Sequence, residues 1–112
     1  MLIGKIHLNM ANAFSYKITN ESELFTFDYS PVLGAGENIL SATCSVQVMS
    51  GTDASPSSIL TGSPFISGSL VSQRISNGVS EVTYRITMTA TTDKTNIYTV
   101  VGDLPVYASD LV

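Results

Sequence analysis

From Glu81 to Thr92 the chain reads E-V-T-Y-R-I-T-M-T-A-T-T. Val82, Tyr84, Ile86, Met88 and Ala90 alternate with Thr83, Arg85, Thr87, Thr89 and Thr91. This period of two is held longer here than anywhere else in the chain. It predicts a strand with one face in a core and one face in water. A helix would scatter the same apolar residues around its whole circumference. Thr suits the polar face because its branched Cβ fits a pleated surface.

The same pattern recurs on both sides of this stretch. In Glu23 to Ser30, Phe25, Phe27 and Tyr29 share a face against Thr26 and Asp28, and Pro31 ends the run. Leu33 to Asn38 reads as a turn, with Gly34 and Gly36 free to take positive φ. Ile39 to Met49 is a further strand, with Ala42, Cys44, Val46 and Val48 facing one way and Thr43, Ser45 and Gln47 the other. Ser50 to Ser58 has loop composition. Between Ile59 and Ile75, Gly62, Pro64 and Gly68 predict short strands with turns at Ile59-Leu60, Phe65-Ile66 and Ser69 to Ile75. Leu70 is out of phase with Val71, Gln73 and Ile75, which leaves the register of the last one open. Asn77-Gly78 is a turn leading into the central strand. Asp93 to Asn96 is the next turn, followed by a strand over Asn96 to Gly102. Ile97, Thr99 and Val101 there alternate with Tyr98 and Val100, so both faces are expected to be covered in part. Pro105 has no N–H to give a ladder, so the following Leu104 to Ala108 is expected at an edge or in a contact with another subunit.

About six to eight short antiparallel strands with turn signals and no helical period point to an all-β fold, an immunoglobulin-like β-sandwich. One domain over residues 1–112 is expected. Residues 1–20 are read as an N-terminal arm or strand and residues 103–112 as a C-terminal extension. Gly78 and Tyr84 bracket a turn into the long strand. That is the placement of a tyrosine corner, where the phenol bonds nearby backbone; plain core packing is the other place open to Tyr84.

Charged residues make up only 12% of the chain, while Ser and Thr make up roughly a quarter. A hydroxyl-rich surface with few charges is poorly defended against association and suits a protein that works in an assembly, as a homo-oligomer among partners. The net charge is −4, and Lys5, Lys17, Arg74, Arg85 and Lys94 are scattered. Nucleic-acid binding needs clustered cations, so no nucleic-acid partner is expected. No stretch reaches the length of a membrane helix, and the N-terminus lacks the apolar run of a signal peptide. Synthesis in the cytoplasm is the expectation.

The chemistry-bearing residues are sparse. His7 and Cys44 are the single histidine and the single cysteine. Within one chain they can assemble neither a disulfide nor a zinc site of the usual kind. Cys44, on an apolar strand face, reads as a small core residue. There is no G-x-S-x-G elbow, no calcium loop and no phosphate-binding glycine motif, and the carboxylates Asp28, Glu37, Asp53, Asp93 and Asp103 stand singly. No catalytic residue, metal ligand or cofactor is expected.

Three stretches carry a resemblance. They are F-T-F-D-Y-S-P with the turn L-G-A-G-E-N-I-L, the strand S-A-T-C-S-V-Q-V, and G-V-S-E-V-T-Y-R-I-T-M-T-A-T-T-D-K-T-N-I-Y-T-V-V. Together they span about Leu24 to Val101 and resemble small tailed-phage and prophage proteins described as fiber–tail adaptors. The resemblance implies a non-enzymatic virion protein that joins tail, portal or fibre subunits at the tail or head–tail region. On this reading the two ends pair with neighbours by strand addition. The structural and interface candidates are Tyr84, Leu2, Ile6, Leu104, Val106 and Tyr107. The alternative is a β-sandwich module that binds surface carbohydrate, which calls for an exposed aromatic beside Asn or Asp on one sheet.

Overall fold

The alternation centred on Ile86 becomes a strand of Val82–Thr92 whose residues are in turn buried and half-buried along its whole length. It is one of eight strands in a computed structural model that describes residues 7–9, 14 and 16–108. In chain order these are β1 (His7–Asn9), β2 (Lys17–Ile18), β3 (Ser22–Asp28), β4 (Ile39–Ser50), β5 (Leu60–Ser67), β6 (Leu70–Ser76), β7 (Val82–Thr92) and β8 (Ile97–Tyr107). A 3₁₀ turn, Pro56–Ile59, precedes β5. The fold is an all-β sandwich of two four-stranded sheets, ordered β1-β3-β6-β5 and β2-β8-β7-β4. The long strands pair antiparallel, as expected. The two short ones do not: β1 runs parallel to β3 and β2 parallel to β8.

The core lies between the sheets. Phe25 and Phe27 of β3 and Val71 and Ile75 of β6 meet Tyr84, Ile86 and Met88 of β7 and Leu104 of β8, all fully buried. Each such large apolar side chain contributes about 1.5–3 kcal/mol on burial. Phe14 lies edge-on to Phe25 and Phe27, with ring centroids 5.1 and 5.3 Å away. Alternation alone put the inward residues of β3, β4 and β7 on the correct face. In β6, Val71, Gln73 and Ile75 point inward, which leaves Leu70 on the outer side.

One expectation about the last strand holds in part and another is corrected. The outer face of β8 is open at its start, where Ile97 is 66% exposed, and half-buried from Val101 onward, so its second face is covered only in part. The strand also continues through Pro105, which pairs with Thr83, and residues 103–107 belong to the sheet rather than to an extension. The alternation of backbone directions explains this. The carbonyl of Val106 points to the β7 side and accepts the N–H of Glu81 at 2.8 Å. The carbonyls of Asp103 and Tyr107 point the other way, to the N–H groups of Phe14 and Thr19, each at 2.9 Å. Pro105 shares the parity of Asp103 and Tyr107, so its nitrogen faces away from β7 and costs that ladder nothing.

Candidate assembly surface

The outer face of the β4-β7-β8 sheet is built from the polar halves of three alternating strands. The register aligns Thr43, Thr89 and Thr99 in one row and Ser45, Thr87 and Val101 in the next. Ser41, Thr91 and Ile97 form a further row, and Gln47, Arg85 and Asp103 another. Thr89 and Thr99 hydroxyls lie 3.3 Å apart. The ion pair in this field is bidentate: Arg85 Nε donates to Asp103 Oδ1 at 2.8 Å and Arg85 Nη2 to Oδ2 at 3.0 Å. It cancels its own charge and leaves the face close to neutral. Leu40 and Ile97, 64% and 66% exposed, add apolar area at one end.

The sheet edges differ sharply. β2 is an edge of two residues, and β1, His7–Asn9, lies at the edge of the other sheet. β5 is an edge that contains Gly62 and Pro64 and loses register between Thr61 and Phe65. Gln73 stabilises that irregularity from inside, its Nε2 donating to the carbonyls of Thr61, Gly62 and Arg74 at 3.2, 3.1 and 3.0 Å. β4 is an edge of twelve residues, I-L-S-A-T-C-S-V-Q-V-M-S, with no charge, no Pro and no Gly. Its irregularities fall only at its two ends, at Ile39/Ser41 and Val48/Ser50.

Two polar nodes hold the loops between strands. Tyr84 is fully buried; its Oη accepts the N–H of Val79 at 2.8 Å and donates to Asp53 Oδ2 at 2.7 Å. Burial, and then the Asp53 carboxylate, push the phenol up to about 12. At the opposite end, Glu37 accepts bonds from the Gly34 N–H at 2.8 Å, the Thr92 hydroxyl at 2.6 Å and the Asn96 amide at 2.8 Å. Those donors, the Gly34 amide first, hold its carboxyl down to about 2. Beside it Asn38 donates to both oxygens of Asp93, so the 33–38 turn and the 92–96 turn form one unit. These carboxylates are therefore structural acceptors with their own donors, and not the isolated groups the sequence suggests. No composition signal marks them, because their partners are brought together only by the sandwich.

The remaining candidates divide. Leu104 and Val106 are buried in the core and present no surface to another subunit. They occupy the inward positions of β8, a consequence of the strand passing through Pro105. Tyr107 is half-buried, its ring tilted against Tyr16 at 6.5 Å. Leu2 and Ile6 lie outside the described residues, as does the side chain of His7. Lys17, which sequence reasoning passed over, is fully buried and donates from Nζ to the carbonyls of Ile18 and Asn77. Cys44 faces inward on β4, and burial pushes its thiol up to about 12, which makes it a poor nucleophile. Among the described residues, Phe65 is the exposed aromatic, and its register neighbours are Ser72 and Thr26 rather than an Asn or Asp. Among them, too, no three His, Cys, Asp or Glu side chains come together to hold a metal, and no helix is long and apolar enough to cross a membrane.

The described residues thus form a β-sandwich with a neutral, hydroxyl-rich sheet face, a long uncharged edge strand and loops tied by internal polar nodes. Residues 17–104 match the family described as podophage GP4 fiber-tail adaptor protein gp77, and the chain belongs to that family of bacteriophage tail adaptors. The match begins at β2 and ends within β8, so it takes in strands of both sheets and leaves out β1. No curated protein and no solved structure matches the chain.

Proposed function

We propose that this chain is a non-enzymatic subunit of the virion that joins tail components through protein–protein contacts and associates with copies of itself. It is made in the host cytoplasm and carried into the particle. Membership of the fiber–tail adaptor family over residues 17–104 is the observation that carries this reading. The neutral outer face of β4, β7 and β8 supports it, because a flat surface of hydroxyls is inexpensive to desolvate compared with a charged one. The sandwich is of immunoglobulin-like type. With β3 to β8 taken as strands B to G, β3-β6-β5 and β8-β7-β4 follow the B-E-D and G-F-C orders of that fold. The Tyr84–Val79 bond has the form of its tyrosine corner.

The test is to assemble phage particles without this chain and inspect them by electron microscopy. Particles lacking tail fibres, and regaining them when the purified protein is added, are expected. Particles with complete tails, and no label from an antibody against this chain, would overturn the reading.

A further inference from the structure

Natural sheets guard their edges with short strands, charges, prolines or bulges, because an unguarded edge pairs with any strand that reaches it. Among the described residues, two edges are guarded in these ways: β2 by shortness, β5 by Pro64 and its loss of register. β4 has no such device between Ser41 and Val48. β5 and the 3₁₀ turn pack close to β4, but among the described residues no ladder joins them to it.

The hydrogen bonds of β7 give the direction of its backbone groups. The N–H of Thr92 donates to the carbonyl of Asn96, so the even residues of β7 face β8 and the odd ones face β4. Their partners Ser41, Thr43, Ser45 and Gln47 therefore turn their backbone groups to β7. Ala42, Cys44, Val46 and Val48 turn theirs to the open side, and their side chains, half-buried, line the inner face.

We propose that β4 pairs antiparallel with β4 of a second copy of this chain, across a two-fold axis at Ser45, joining two four-stranded sheets into one. The proposal rests on the self-association in the reading above and names the surface responsible. A second copy is the occupant because an isologous contact needs a self-complementary strand, and this one has no charge to oppose its own image. Residues that face each other across the axis must lie on the same face of the sheet. With Ser45 on the axis, Ala42 meets Val48 of the partner and Cys44 meets Val46, a smaller side chain against a larger one each time. All four open backbone positions are then used. On the outer face Ser45 meets its own copy and Thr43 meets Gln47.

Ser45 is exposed, so Ser45→Lys and Ser45→Glu are compatible with the folded protomer. Light scattering and sedimentation are run on wild type, each variant and an equimolar mixture of the two, with far-UV circular dichroism as the fold control. Wild type is expected to form dimers. Each variant, with like charges opposed at the axis, should dissociate at least about tenfold more readily. The mixture should recover dimers through Lys–Glu pairing. If wild type associates and both variants associate equally well, the β4 pairing is wrong while self-association stands. If wild type is monomeric throughout yet is found on the virion tail, the pairing is again wrong and the adaptor reading survives.

Discussion

The phenolic oxygen of Tyr84 lies 2.8 Å from the amide nitrogen of Val79 and accepts its hydrogen bond. Because Tyr84 lies near the start of β7 and Val79 lies in the connection from β6, this bond ties the crossing from one sheet to the other to the second sheet. The same oxygen donates to Asp53, tying the loop after β4 to that crossover. Tyr84→Phe keeps the ring and removes the oxygen. The expected loss is about 1–3 kcal/mol in urea unfolding, since a partly buried donor and a carboxylate both lose their partner. Asp53→Ala should cost less, because the Val79 bond survives. Equal stability of Tyr84→Phe and wild type would show that the crossover is held by packing alone.

Gln73 is an inward-facing polar residue in a strand whose other inward positions are Val71 and Ile75. Its amide satisfies carbonyls of β5 where the ladder is interrupted. Gln73→Leu is similar in size but donates nothing. A destabilisation of about 1–3 kcal/mol is expected, together with faster amide hydrogen exchange over residues 60–67. Exchange that speeds up uniformly over the whole chain would indicate a general core defect instead.

Glu37 sets an acid limit on stability. Its folded carboxyl is held down to about 2, against an ordinary value of 4.5. A group depressed in this way contributes stability that is present above the unfolded value and is lost as pH falls through the folded one. Unfolding midpoints should therefore drop between about pH 4.5 and 2. Asp93, also lowered, chiefly by the Asn38 amide, adds to the same slope. Glu37→Gln should be less stable at neutral pH and show a flatter profile across this window. Parallel profiles for the two proteins would remove Glu37 as the cause.

The phase of β7 has a direct test. Ile86 is fully buried and Thr87 is half-buried on the outer face. Ile86→Asp places an unpaired carboxylate in the core and should abolish the cooperative unfolding transition. Thr87→Lys should change stability by no more than about 0.5 kcal/mol. Circular dichroism melts of the two variants decide the matter.

The strand phases were legible in the sequence because side-chain alternation is a local property: a residue's face follows from its neighbours at i±2. That is why Phe25, Phe27, Val46, Tyr84, Ile86 and Met88 could be assigned inward before any partner was known. The all-β class followed from the number of such runs. The family resemblance rested on the same strands and turns.

What the tertiary structure alone decided is everything that depends on partners distant in the chain. Lys17 is buried because carbonyls of Ile18 and Asn77 converge on its ammonium, and nothing near it in sequence announces Asn77. Glu37 acquires its donors from Thr92 and Asn96 only when two turns meet at one end of the sandwich. Pro105 could be judged incompatible with an inner strand until the direction of its nitrogen was known, and that direction depends on which side β7 occupies. The open edge of β4 is likewise invisible in its residues. An uncharged alternating strand suits the middle of a sheet, and only the sheet order leaves this one, among the described residues, with a neighbour on one side. Alternation is fixed by covalent geometry within a few residues, whereas pairing and edge position are set by long-range hydrogen bonds.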